Sequence, residues 1–161
     1  MEQQKLTASD GASGDYFGYS VSISGDYAIV GAYADDDKGS DSGGAYVFVR
    51  NGTTWSEQQK LTASDGASYD QFGNSVSISG DTVIVGAHAD DDRGSGSGSA
   101  YVFVRHGTTW SEQQKLRASD GAGSDYFGSS VSISGDAVIV GAYADDDNVF
   151  DSGSAYVFAL P

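Results

Sequence analysis

The chain has 161 residues, enough for one body with a real core and too few for two comfortable domains. Lys and Arg number 8 against 23 Asp and Glu, a formal net charge of -15, which repels phosphate backbones and anionic lipids and excludes nucleic acid and membrane surfaces as partners. The absence of Cys excludes disulfides, thiolate chemistry and zinc-thiolate sites, and no apolar run approaches the roughly 20 residues that span a bilayer.

Met1 leads directly into a polar segment, so no signal peptide is expected in this chain. The first strand-like run covers residues 3–8, inside the string Glu-Gln-Gln-Lys-Leu that begins at Glu2. A loop with Asp10 and Asp15 follows, then a run over residues 17–24 that opens on Phe17-Gly18. Successive strand residues point to opposite faces, so Phe17, Tyr19, Val21 and Ile23 share one face, and Gly18, Ser20, Ser22 and Ser24 the other. Ser24-Gly25-Asp26 is short enough for a tight hairpin into residues 27–34, where both faces are largely apolar. The acidic loop Asp35, Asp36, Asp37 separates that run from residues 45–50, where Val47 and Val49 oppose Tyr46 and Phe48. Asn51-Gly52 is a strong hairpin signal leading to Trp55, after which Glu-Gln-Gln-Lys-Leu returns at Glu57.

That return is one of several landmarks at a period of 55. Phe-Gly recurs at Phe17, Phe72 and Phe127, the Asp triplet begins at Asp35, Asp90 and Asp145, and Tyr-Val-Phe begins at Tyr46, Tyr101 and Tyr156. The chain therefore reads as a single all-β body of three repeats, residues 2–56, 57–111 and 112–161, with twelve strands in total and no helical periodicity. Copies one and two differ at only ten positions, which distributes function over the copies and disfavours a lone asymmetric active site. Strands apolar on both faces must be covered on both faces, as in blades stacked around a propeller. A β-trefoil also has three repeats of about this length and is the alternative fold, but its strands line one interior and should alternate cleanly.

Phe-Gly, Ser-Val-Ser-Ile, Ile-Val-Gly-Ala and Gly-x-Ala-Tyr-Val-Phe, followed by Trp and Gln-Lys-Leu, resemble the FG-GAP repeat of integrin alpha subunits and related bacterial surface proteins. The resemblance implies a β-propeller, an adhesive or ligand-binding role, an extracellular or cell-surface parent protein, and an innermost strand over residues 17–24. Two departures stand out. Gly-Ala-Pro is replaced by Gly31-Ala32-Tyr33, Gly86-Ala87-His88 and Gly141-Ala142-Tyr143, and the usual calcium loop between the first two strands is reduced to Ser24-Gly25-Asp26 and its equivalents.

Closed propellers have about four to eight blades, so three cannot close alone. The chain starts with an outermost-strand sequence and ends one strand short, so a homodimer exchanging the N-terminal strand would give a six-bladed ring with two-fold symmetry. Three function classes follow. The leading one is a non-catalytic, self-assembling module for protein interaction or adhesion; the others are a calcium-dependent carbohydrate-binding lectin and a symmetrised scaffold without a ligand.

No cofactor is required by this reading, and Ca²⁺ is the candidate ion. Hard cations take clustered oxygens, which makes Asp35, Asp36, Asp37, Asp41, Asp90, Asp91, Asp92, Asp145, Asp146, Asp147 and Asp151 the candidate metal ligands; solvated acidic turns are the alternative account. Tyr16, Tyr19, Tyr33, His88, Tyr126 and Tyr143 sit at strand ends and form a candidate surface for a protein or glycan, or else pack between blades. His88 and His106 occupy unrelated repeat positions, and no nucleophile and base are paired in the sequence, so no enzyme is expected.

Overall fold

A computed structural model of the chain describes residues 1–147 and 149–161 and is all-β among them. β1 (Ser20–Ser24), β2 (Tyr27–Ala32), β3 (Gly44–Asn51) and β4 (Thr54–Leu61) form one antiparallel sheet in that order. β5 (Phe72–Ser79), β6 (Thr82–Ala87), β7 (Ser99–His106) and β8 (Thr109–Leu116) repeat it, and β9 (Phe127–Ser134), β10 (Ala137–Ala142) and β11 (Ser154–Ala159) make a three-stranded version. Register follows the hairpins: Ser24 faces Tyr27 across a two-residue turn, and Asn51 faces Thr54 across another. On the outer side Tyr46 faces Lys60 and Tyr101 faces Lys115.

The three sheets stack as blades because their strands are apolar on both faces. Ile29 and Val47 of the first blade join Val76, Ile78, Val83 and Val85 of the second in one cluster. Ile84 and Val102 on the far face of the second blade join Ile133, Val138 and Val140 of the third. Each such side chain contributes about 1.5–3 kcal/mol by leaving water, so these inter-blade layers dominate stability.

The inner strands β1, β5 and β9 carry small residues, and their serines tie the blades together. Ser20 Oγ donates to the Gly73 carbonyl at 2.8 Å, Ser22 Oγ accepts from Ile78 N at 3.2 Å, and Ser75 Oγ donates to the Gly128 carbonyl at 2.7 Å. Gly73, the glycine of the second Phe-Gly pair, has φ +92°, and a Cβ there would collide with the Gly44 carbonyl oxygen of the first blade. Only glycine fits that junction.

Eleven strands form among the described residues, where twelve were expected. Residues 3–8 belong to no sheet, because the strand their sequence matches pairs with β3 or β7, and the equivalent β11 lies two blades away. They run instead beside β4: Gln4 Nε2 donates to the Trp55 carbonyl and Gln4 Oε1 accepts from Trp55 N, both at 2.8 Å, and Leu6 and Ala8 pack on Val30, Ala32, Tyr46 and Phe48. Gln59 and Trp110 repeat those bonds between β4 and β8, so residues 3–8 sit where the outer strand of a preceding blade would lie. β1 starts at Ser20 rather than Phe17 for a related reason. Phe72 and Phe127 bridge to Gly43 and Gly98 of the blade before, and among the described residues Phe17 has no such neighbour. The trefoil alternative is corrected: the strands lie in separate stacked sheets, not around a single barrel.

Candidate functional site

Two groups of polar and aromatic side chains stand out, one at the outer end of the acidic loops and one on the face near the inner strands. In the acidic loops the consecutive aspartates diverge. Asp35 Oδ1 caps the turn by accepting from Asp37 N at 3.1 Å, while its other oxygen and Asp10 Oδ1 each lie 2.8 Å from the Tyr46 hydroxyl. Asp36 Oδ1 accepts from Asp41 N at 2.8 Å, closing the loop around a left-handed residue at φ 50°. Gly96 and Asp151 repeat that bond with Asp91 and Asp146, which explains why Gly replaces Asp in copy two.

The structure thus gathers a different set from the triplet: Asp10 with Asp35 and Asp37, and a lysine between them. Lys60 Nζ lies 2.8 Å from Asp10, 2.7 Å from Asp35 and 2.6 Å from Asp37, above the Tyr46 ring. Lys115 does the same with Asp65, Asp90 and Asp92 over Tyr101. Asp35 and Asp90 are buried, so the ammonium supplies the charge compensation that burial demands. The hydrogen bond from Lys60 is the main reason the Asp10 carboxyl is held below its ordinary range. At Asp65 burial pushes the carboxyl up, but bonds from Lys115 and Tyr101 outweigh it and leave it lowered. Burial drives the Tyr46 and Tyr101 hydroxyls upward, so both remain neutral donors.

In the third blade the same carboxylates assemble without a lysine. Tyr156 OH lies 2.9 Å from Asp120 and 2.5 Å from Asp145, and carboxylate oxygens of Asp120, Asp145 and Asp147 come within 4.8 Å of one another. Among the described residues no side-chain cation pairs with them. Repulsion from Asp145 and Asp120 raises the Asp147 carboxyl, the opposite of what Lys60 does to Asp10. Of the expected metal ligands, Asp145 and Asp147 are therefore those with room for a cation, and Asp120 joins them from outside the triplet.

The aromatic group sits on one face. Tyr16 stacks on Tyr33 with ring centroids 5.3 Å apart, Tyr19 meets Tyr33 edge-on at 4.5 Å, and Tyr126 stacks on Tyr143 at 5.2 Å. Tyr19, His88 and Tyr143, with Asn74 and Ser129, line a concavity of about 320 Å³. All six expected surface residues thus lie in or directly behind one rim. Tyr16, Gln71 and Tyr126 take left-handed φ of 55–59°, which costs a bulky residue about 1–2 kcal/mol each and concentrates strain beside this concavity. Burial lowers the His88 imidazole, and its Nδ1 is buried without a hydrogen-bond partner.

The residues that sequence reasoning missed are Lys60, Lys115, Tyr46 and Tyr101. Their signal was present: one lysine and one tyrosine per copy recur with period 55 in segments otherwise read only as strand.

Antiparallel blades stacked through apolar faces around small inner strands define a section of a β-propeller. The FG-GAP repeat family model matches residues 1–48, 55–103 and 110–158, one match per copy, and the chain belongs to that family. It is a propeller module of integrin type. No curated protein sequence matches the chain significantly. No helix is long and apolar enough to cross a membrane among the described residues.

Proposed function

We propose that this chain is a half-ring that closes with a second copy into a six-bladed propeller and works by non-catalytic binding, outside the cell or at its surface. The observation that carries the reading is the contrast between equivalent positions. Ile139 and Val157 on the end face of the third blade are 45% and 72% exposed, whereas Ile29 and Val47 are at 0%. At the other end Val21 is 68% exposed and its counterpart Val76 is 8%. Soluble monomers rarely leave contiguous apolar faces of this kind in water, and each end face has the shape that already packs twice within the chain. The inner serines add polar complementarity, since Ser130, Ser132 and Ser134 repeat the residues that bond the next blade.

Light scattering on a sizing column is expected to give about twice the 16.6 kDa chain mass. A mass of one chain at millimolar concentration would remove the closure reading.

The face that such a ring offers to a protein or glycan is the concavity of Tyr19, Asn74, His88, Ser129 and Tyr143, where aromatic rings give contact area and polar tips give orientation. On protein and glycan arrays, replacing Tyr19 and Tyr143 with Ser is expected to lower wild-type binding by about tenfold or more while leaving the molar mass unchanged. Retained binding in that variant would move the contact elsewhere.

A further inference from the structure

Closure by a second copy leaves open what joins the two half-rings at the rim, and the third acidic cluster answers it; the inference rests on that closure. We propose that Asp120, Asp145 and Asp147 form a socket for Lys5 of a second copy, whose residues 2–6 pair with β11 as the outer strand of the third blade.

Three independent features converge on this occupant. The first is an unpaired edge: among the described residues β3 and β7 are covered on their outer side by β4 and β8, and β11 is not. Exposed strand edges are templates for another strand. The second is sequence, because residues 2–6 are identical to 57–61 and 112–116, the segments that cover those edges. Carrying the register over, Lys5 faces Tyr156, Gln4 faces Val157 and Glu2 faces Phe158, as Lys60, Gln59 and Glu57 face Tyr46, Val47 and Phe48. The third is charge. Both equivalent clusters in the chain enclose an ammonium within 2.9 Å of three carboxylates, whereas the third has its tyrosine and carboxylates in place and Lys5 is exposed.

The geometry of the N-terminal segment fits as well. Held against β4 by Gln4 and Leu6, it already occupies the outer-strand place of the blade that would precede the first. It therefore needs no refolding to meet a second copy, and its backbone edge is what completes the partner blade. Ser119 adds a further contact. Ser9 bonds Glu57 through N and Oγ at 2.9 and 2.8 Å, and Ser64 bonds Glu112 likewise, so Ser119 is left to bond Glu2 of the second copy.

The test is carried out on the full chain in two parts. Equal amounts of ¹⁴N- and ¹⁵N-labelled protein are refolded together and treated with a carbodiimide, which joins an ammonium directly to a carboxylate. Lys5 is expected to be linked to Asp120, Asp145 or Asp147 in mixed-isotope peptides as often as in unmixed ones. Separately, Lys5→Glu is expected to weaken dimerisation about tenfold or more, and Lys5→Glu combined with Asp147→Lys to recover most of it. Circular dichroism of each variant confirms that the blades fold. If the wild type is a dimer but links are only within one isotope, or Lys5→Glu dimerises normally, the socket proposal is overturned and closure stands. A wild type that stays a single chain overturns closure itself.

Discussion

Gly73→Val is expected to destabilise the chain by about 4 kcal/mol, the sum of a β-branched residue forced to positive φ and a backbone collision between blades. Gly73 sits at φ +92° with its missing Cβ aimed at the Gly44 carbonyl, and β5 cannot retreat without opening the layer of Ile29, Val47, Val76 and Val85. Gly18→Val supplies the control. Gly18 has nearly the same φ, +95°, but within the single chain nothing lies within 4 Å of a Cβ there, so at a dilution that keeps the chains apart only local strain of about 1–2 kcal/mol is expected. Urea unfolding measures both, with an unchanged slope showing that the same surface is exposed. Equal losses at the two sites would mean that strain alone, and not blade contact, makes Phe-Gly necessary.

The second large effect concerns the enclosed ammonium. Lys115→Met is expected to cost about 3–5 kcal/mol, because it strands the carboxylates of Asp65, Asp90 and Asp92, one of them buried, without a counter-charge. Adding Asp90→Asn should recover part of the loss, since an amide keeps an acceptor for the Tyr101 hydroxyl without the charge. The pH profile separates this from a packing defect. Asp65 is lowered in the folded wild type, so its contribution is present above the unfolded value of about 3.8 and is lost as pH falls through the lower folded value. Without Lys115 the crowded carboxylates should instead be raised, as Asp147 is in the third blade, so the variant gains relative to wild type as pH falls toward about 4. Parallel acid-unfolding curves for the two proteins would show that the lysine acts only through its packing.

Much of the architecture could be read from residues. Alternation along β1, apolar residues on both faces of β2 and β3, and the turns at Gly25-Asp26 and Gly52-Thr53 give strands, hairpins and the need for cover on both sides. The clustering on one face of Tyr19, His88 and Tyr143 also follows from their place at strand ends. The acidic site was less legible. Three adjacent aspartates look like one cluster in sequence, but adjacent loop residues point in different directions, and Asp36 turns to the backbone of its own loop. The real cluster joins Asp10, Asp35 and Lys60, residues drawn from two sequence copies and brought together only by the offset between repeat and blade. The state of residues 3–8 was hidden for the same reason. A strand is a property of a pair, and the sequence of one member does not say whether the other is within reach.

That offset bears on how the protein is made. Each of the first two blades takes the larger part of its outer strand from the following copy, so a blade emerging from the ribosome stays open until residues 57–61, and later 112–116, have been synthesised. The chain grows as a line of half-latched units, each capped by the arrival of the next, and the β11 edge of the third blade has no outer strand among the described residues. If that edge is closed by a second copy, as proposed above, its maturation is a second-order event, fast where many chains are made together on one message and slow in dilution.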